Sequence, residues 1–252
     1  MIAVYNSKGG VGKTAAAVNL AWLAAAEGRR TLLWDLDAQG AASYYLRVQP
    51  RLPGGGAELL EDRRNLARAI RATDFERLDL VPADFSYRNL DLELSDYKKS
   101  GRRLRKLLRT VEDDYDLVLL DCAPSMSVVS ENVFNMSDVL LVPLIPTHLS
   151  LRAYEQLRDF RMRLPEAHAE LIPFFSMVDR RKRLHRELIV TFAREHPEVL
   201  RSYVPYASQV EQMGEHRAPV HVFADASPGG RAFRALWRAL VARLGQQAES
   251  AT

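Results

Sequence analysis

The chain has 252 residues, 47% of them hydrophobic, and a formal net charge of +3 from 35 basic and 32 acidic side chains. That length suits one α/β domain with a substantial core, and no stretch has the uninterrupted apolar length of a membrane span or the pattern of a signal peptide. Cys122 is the only cysteine, which excludes an internal disulfide and fits a reducing cytoplasm.

The basic excess is uneven. Residues 1–150 are close to balanced, whereas 151–252 are basic and nearly all of that charge is arginine. Such a half is compatible with a polyanion partner and equally with ordinary surface arginine.

Ile2–Tyr5 is a short apolar run that reads as a buried strand, and Ala15–Ala21 reads as a helix. Between them lies Ser7-Lys8-Gly9-Gly10-Val11-Gly12-Lys13-Thr14. A Gly-rich turn from strand to helix is a phosphate cradle. Glycine lets successive backbone N–H groups converge on one anion, and the helix N-terminus adds partial positive charge. Lys13 is placed to reach the β- and γ-phosphates and Thr14 to give a hydroxyl to Mg²⁺. Ser7 stands where the general phosphate-loop pattern has its first glycine, and a second lysine, Lys8, opens the loop.

Gly28-Arg29-Arg30 supplies a helix stop, and Thr31–Trp34 reads as the second strand, ending in Asp35-Leu36-Asp37-Ala38-Gln39-Gly40. Val48–Ala57, with two prolines and three glycines, reads as a surface loop. Glu58–Ala72 has helical apolar spacing and is predicted as one amphipathic helix. Leu78–Val81 is a short strand before Pro82. Lys98–Arg109 is densely basic around an apolar stripe of Leu104, Leu107 and Leu108, which reads first as a solvated helix face and second as a nucleic-acid contact.

Leu117–Leu120 is a second apolar run, and it delivers Asp121 to the edge where open α/β sheets bind ligands. Cys122 reads as a packing residue. Further strands are predicted at Val139–Pro143 and Ile172–Val178, with a helix from Leu149 between them. The last helix, Arg231–Leu244, carries Phe233, Leu236, Trp237, Leu240, Val241 and Leu244 on one face and precedes a polar tail, 246–252. The expected organisation is one domain over 1–245 followed by that tail.

Lys-Gly-Gly-x-Gly-Lys-Thr with this Asp-x-Asp turn and this strand-borne Asp121 resembles the deviant Walker A motif, switch I and Walker B of the ParA/MinD superfamily of P-loop ATPases. The resemblance spans nearly the whole chain. It implies a single doubly wound, mostly parallel sheet flanked by helices, ATP and Mg²⁺ as cofactors, and ATP hydrolysis to ADP and phosphate. It implies that Lys8, Gly9, Gly10, Val11, Gly12, Lys13, Thr14 and Ala15 hold the nucleotide, with Lys8 reaching the nucleotide of a second subunit in an ATP-sandwich homodimer. Lys8, Lys13 and Asp37 are then the catalytic residues, Asp37 orienting the attacking water, and Thr14, Asp37 and Asp121 serve the Mg²⁺ site. Asp35 supports the loop. Met177, Asp179 and Pro205 inherit positions that approach the adenine. Ala38 stands where the family usually has proline.

A single cysteine argues against the iron–sulfur and Cys-x-x-Cys branches, and the tail has no tyrosine cluster of the kinase branch. Two branches of different class remain. A ParA-type partitioning ATPase binds DNA without sequence preference, on the nucleoid, and moves a plasmid, chromosome locus or protein assembly with an adaptor that stimulates hydrolysis. A MinD-type ATPase docks on membrane through a C-terminal amphipathic helix. The ParA reading is preferred, because a last helix packed on the sheet needs the same apolar face. With the first strand at residue 2, an N-terminal DNA-reading domain is not expected. DNA contact then falls to phosphate-binding cations: Arg180, Arg181, Lys182, Arg183, Arg186 and Arg217. Gln209 stands where relatives present a DNA-contacting arginine.

Overall fold

Apolar runs with few polar interruptions become the strands of one sheet. In chain order these are β1 (Ile2–Val4), β2 (Thr31–Asp35), β3 (Arg71–Ala72), β4 (Leu78–Val81), β5 (Leu117–Asp121), β6 (Val139–Leu144), β7 (Glu170–Val178) and β8 (Tyr203–Pro205). The structure, a computed structural model, describes residues 1–62, 64–97 and 100–250. The strands lie in the order β3-β4-β2-β5-β1-β6-β7-β8. Only the β3–β4 pair is antiparallel; the others are parallel. β1, β2, β5 and β6 are buried at every position, as a sheet covered on both faces requires.

The helices of the first half are α1 (Lys13–Ala26), α2 (Ala41–Tyr45), α3 (Gly55–Glu61), α4 (Arg64–Ala69), α5 (Leu90–Ser95) and α6 (Arg103–Leu108). The second half adds α7 (Val128–Met136), α8 (His148–Arg163), α9 (Arg183–Glu195), α10 (Ser208–Glu211), α11 (Met213–His216), α12 (Val220–Ala224) and α13 (Pro228–Ser250). Alternation along β1 divides them into two cores. Ile2 and Val4 pack with α1 and with Phe233, Leu236, Trp237 and Leu240 of α13. Ala3 and Tyr5 pack with Leu90 and Leu94, Leu104 and Leu107, Phe134, Tyr154 and Phe192, from α5 to α9.

The apolar face of α13 is therefore spent on the core. Phe233, Leu236, Trp237 and Leu240 are each at most 1% exposed, which withdraws the side chains that a membrane-docking helix would insert. Among the described residues no helix is long and apolar enough to cross a membrane. The helix also runs through 246–250, the first part of the tail read as polar from the sequence; residues 251 and 252 lie outside the described residues.

Two other expectations are corrected. Glu58–Ala72 is not one helix. α3 begins at Gly55 and stops at Glu61, because Asp62 turns extended (φ −123°, ψ 132°) and its carboxylate accepts the Arg64 N–H at 2.9 Å. That carboxylate starts α4 and so breaks the helical run. Arg71 and Ala72 then pair with β4 as an edge strand. The loop predicted over Val48–Ala57 ends early for a related reason: Gly54, at φ 68°, takes the left-handed position that opens α3. The basic segment at Lys98–Arg109 is a 3₁₀ turn (Ser100–Arg102) leading into α6, with Lys98 and Lys99 outside the described residues.

Candidate nucleotide site

β1 and α1 are joined by the Gly-rich loop, and Asn6 pins its start. The Asn6 side chain donates to the Pro143 carbonyl on β6 at 2.8 Å and accepts the Lys8 N–H at 2.9 Å. Gly12, at φ 91°, is the residue before α1 and adopts the left-handed conformation. A Cβ there would also lie 2.8 Å from Ser176 Oγ, which would have to turn aside, so it is the backbone conformation that calls for glycine. No side chain caps α1, and its first turn carries no acidic residue. The N-terminal N–H groups of this 14-residue helix thus face the loop uncapped by any side chain of the helix's own first turn.

Lys13 is buried under this loop, its Nζ donating to the Lys8 carbonyl at 2.9 Å. Burial draws its pKa below the ordinary lysine value, opposed first by Asp121. Lys8 lends the loop its carbonyl and its amide. Its ammonium is only partly exposed, and no hydrogen bond or ion pair from it is found among the described residues.

Parallel pairing sets Asp35 of β2 directly against Asp121 of β5, and Val4 against Asp121. The two carboxylates end neighbouring strands under the loop, but their surroundings differ. Asp35 accepts from Ser43 N (2.8 Å), Ser43 Oγ (2.7 Å) and Asp37 N (3.3 Å), and Ser43 Oγ in turn accepts the Ala83 N–H. It braces the Asp37 turn and α2 on the sheet, the supporting role expected of it. Both oxygens of Asp121 are buried and, among the described residues, neither makes a hydrogen bond of ordinary geometry, although the Thr14 hydroxyl is a near neighbour. Its carboxyl is held well above the usual range, by burial first and then by the Asp35 and Asp37 charges, with Thr14 and Lys13 opposing. Asp35 is raised as well, chiefly by burial, against the lowering effect of Ser43.

A buried carboxylate without an ordinary hydrogen bond is the donor a hard cation needs. No cluster of three or more His, Cys, Asp or Glu able to hold a metal occurs among the described residues. Mg²⁺ suits such a sparse set, because it keeps waters and takes phosphate oxygens alongside one or two protein ligands. Asp37 lies further out. It is partly exposed and accepts the Gln39 N–H at 3.0 Å. Cys122 is buried with its thiol pushed up by burial, so it is a packing residue, as its sequence context indicated.

Beyond the loop, Gly12, Ala15 and Ala16 share an apolar pocket with Met177, Pro205, Tyr206, Val210 and Glu211. Met177 holds φ 54°, a left-handed conformation at a non-glycine residue. Of the three adenine candidates, Met177 and Pro205 line this pocket and Asp179 does not. The Asp179 carboxylate instead takes a bidentate pair with Arg181 at 2.9 and 3.0 Å, and its N–H donates to His185 Nδ1.

The six cationic candidates differ in their surroundings. Arg180, Arg181, Lys182, Arg183 and Arg186 follow β7 and are exposed, but Arg181 is paired with Asp179 and Arg183 with Glu187. Arg217 stacks over Tyr44 of α2, its guanidinium carbon 4.6 Å from the ring centre. β2, which leads into α2, is four strand spacings from β7, about 19 Å.

Sequence reasoning passed over Asn19. It is wholly buried in α1, accepts the Val220 N–H at 2.8 Å, and donates to the Ala15 carbonyl and to Met213 Sδ. It ties the phosphate-loop helix to the segment that follows the apolar pocket. A lone amide inside an Ala-rich helical run was the available signal. Asn19→Ala leaves the Val220 N–H buried without an acceptor, at a cost of about 1–3 kcal/mol. Thermal unfolding should fall by several degrees, and ATP affinity should drop while affinity for inorganic triphosphate holds. Equal loss for both ligands would contradict that positioning role.

Asp35 carries a pH prediction. A carboxylate whose pKa is raised on folding lowers stability as pH climbs past its unfolded value, because the unfolded chain releases the proton first. On top of a constant loss where an amide NH2 replaces an acceptor of Ser43 or Asp37, Asp35→Asn should therefore gain on the wild type as pH rises from about 4 to about 6 and level off above that. Denaturant titrations at a series of pH values measure this; a constant difference across the series would exclude it.

Similarity to known proteins agrees with this geometry. The family described as AAA domain matches residues 1–171. The chromosome-partitioning ATPase Soj of Treponema pallidum is 29% identical over 249 residues, 96% of this chain and 97% of that one. The chromosome partitioning protein ParA of Caulobacter vibrioides (strain NA1000 / CB15N) is 30% identical, covering 96% and 94%. The crystal structure of cobyrinic acid a,c-diamide synthase from Mycobacterium smegmatis, with bound ATP analog and magnesium, superposes with a TM-score of 0.81 at 26% identity, covering 95% and 93%. On its loop, its sheet and these relatives, the chain belongs to this AAA domain family, in the ParA branch of the ParA/MinD superfamily of P-loop ATPases.

Proposed function

We propose that this ParA-type partitioning ATPase works as an ATP-sandwich homodimer that binds DNA without sequence preference. ATP and Mg²⁺ are its cofactors, and it hydrolyses ATP to ADP and phosphate. The observation that carries the dimer is Lys8: Lys13 already occupies the inside of the loop, so a second lysine at its front has work to do only on another molecule's nucleotide.

The loop N–H groups and the α1 N-terminus hold the phosphates, and Lys13 offsets their charge. Thr14 and Asp121 would hold Mg²⁺, which would supply positive charge against the phosphates. Asp37 orients the attacking water. The apolar pocket of Met177 and Pro205 takes the adenine, whose face needs apolar contact more than charge. An adaptor protein stimulates hydrolysis, and the cargo is a plasmid, a chromosome locus or a protein assembly held on the nucleoid.

Retention assays separate this from membrane docking. With a non-hydrolysable ATP analogue the protein should retain duplexes of unrelated sequence equally, and with ADP it should not. Sedimentation with anionic liposomes and no retention of DNA would overturn the reading.

A further inference from the structure

We propose that the duplex lies along an arginine groove beside the Asp37 turn, formed by Arg71, Arg51, Arg47 and Arg217, and not primarily on the arginines after β7. The inference rests on the DNA-binding reading above and adds the surface that performs it.

Arg47, Arg51 and Arg71 line one depression together with Val48, Gln49, Pro53 and Ala72, and no acidic side chain lines it. Val48 and Gln49 also line the adjoining depression, which reaches Arg217 and again includes no carboxylate. The two depressions thus share Val48 and Gln49 as a common wall. The other basic surfaces are different. After β7, Arg181 and Arg183 are each engaged by a carboxylate. Around α6, Arg102, Arg105, Lys106 and Arg109 share their cleft with Asp138 and Glu166, and Arg102 is paired with Glu166.

The guanidiniums of the groove are held mostly by neutral groups, which orient them and leave their charge intact. Arg71 Nη1 donates to the Ile70 carbonyl at 2.9 Å and to the Arg68 carbonyl. Arg47 donates to the Arg217 and His216 carbonyls at 3.0 and 3.3 Å, with Asp74 at 3.2 Å as its one carboxylate. Arg217 donates to the Tyr44 carbonyl and lies over the Tyr44 ring. Arg51 is exposed, and its guanidinium makes no ion pair or hydrogen bond among the described residues. A row of oriented forks is what phosphate oxygens take up most readily.

The groove also borders the hydrolytic end of the site. Gln39 and Gly40, which follow Asp37, line it. Gly40 sits at φ 64°, and a Cβ there would lie 3.0 Å from Pro50 Cβ, so the turn packs against Pro50 only as glycine.

Salt titration of duplex binding tests this on the full chain with the ATP analogue. Each phosphate contact contributes about 0.9 to the slope of log K against log salt. Arg51→Gln combined with Arg71→Gln should lower that slope by about 2 for each subunit engaged, while Arg64→Gln, the charge loss of a single groove variant at an exposed pair with Asp62, should leave it unchanged. Arg51→Gln alone, at an exposed side chain with no structural bond, should lower it by about 1 for each subunit engaged and guards against misfolding of the double variant. No retention by the wild type would overturn the DNA reading itself. Retention with an unaltered slope in both groove variants would overturn the groove alone. So would loss of binding to polyglutamate with DNA binding intact, which would assign the groove to an acidic protein segment.

Discussion

Asp37→Ala should lower the rate of phosphate release by about 10²–10⁴, the usual contribution of a positioned general base, while ATP binding persists. The geometry supports the split. Asp37 makes one local hydrogen bond to its own turn, to the Gln39 N–H, and Asp35 braces that turn through Ser43. Removing the Asp37 carboxylate therefore leaves the loop, Lys13 and Asp121 supported as before. A group that acts mainly in the transition state changes turnover more than affinity. Lys13→Ala should do the reverse and weaken binding first, since its ammonium lies buried against the loop itself. Single-turnover phosphate release with a labelled ATP, alongside equilibrium binding, separates them. Wild-type turnover in Asp37→Ala would remove Asp37 from the chemistry.

Lys8→Ala should leave a folded monomer that still binds ATP and no longer dimerises with it. Its side chain supports nothing in its own subunit among the described residues, so the fold has no reason to respond. In a closed interface its charge lies over phosphate with little water between, where a single ion pair is worth several-fold more than at a free surface. A variant that dimerises with the analogue as the wild type does would leave Lys8 without its assigned role.

The parts of this protein legible in its sequence are those fixed by local rules. A short apolar strand followed by Lys-Gly-Gly-x-Gly-Lys-Thr has one economical arrangement, and Gly12 shows why: its left-handed φ suits glycine and disfavours other side chains. Asp121 was legible because an apolar strand ending in aspartate delivers it to the sheet edge. What escaped depended on distant or competing partners. Asp62 broke a helix that apolar spacing had predicted, by capping Arg64 in place of continuing the turn. Asp179 matched a position near the base, yet Arg181 two residues later claims its carboxylate. Asn19 acquires its meaning only from Val220, 201 residues away. The amphipathic face of α13 was ambiguous for the same reason, since only the folded chain shows that α1 and the sheet already cover it.

ATP is expected to join two copies of this chain. Light scattering of the wild type with Mg²⁺ and a non-hydrolysable ATP analogue measures that directly. The expected result is twice the monomer mass with the analogue and the monomer mass with ADP; a monomer in both, at protein concentrations where the analogue is bound, would contradict it.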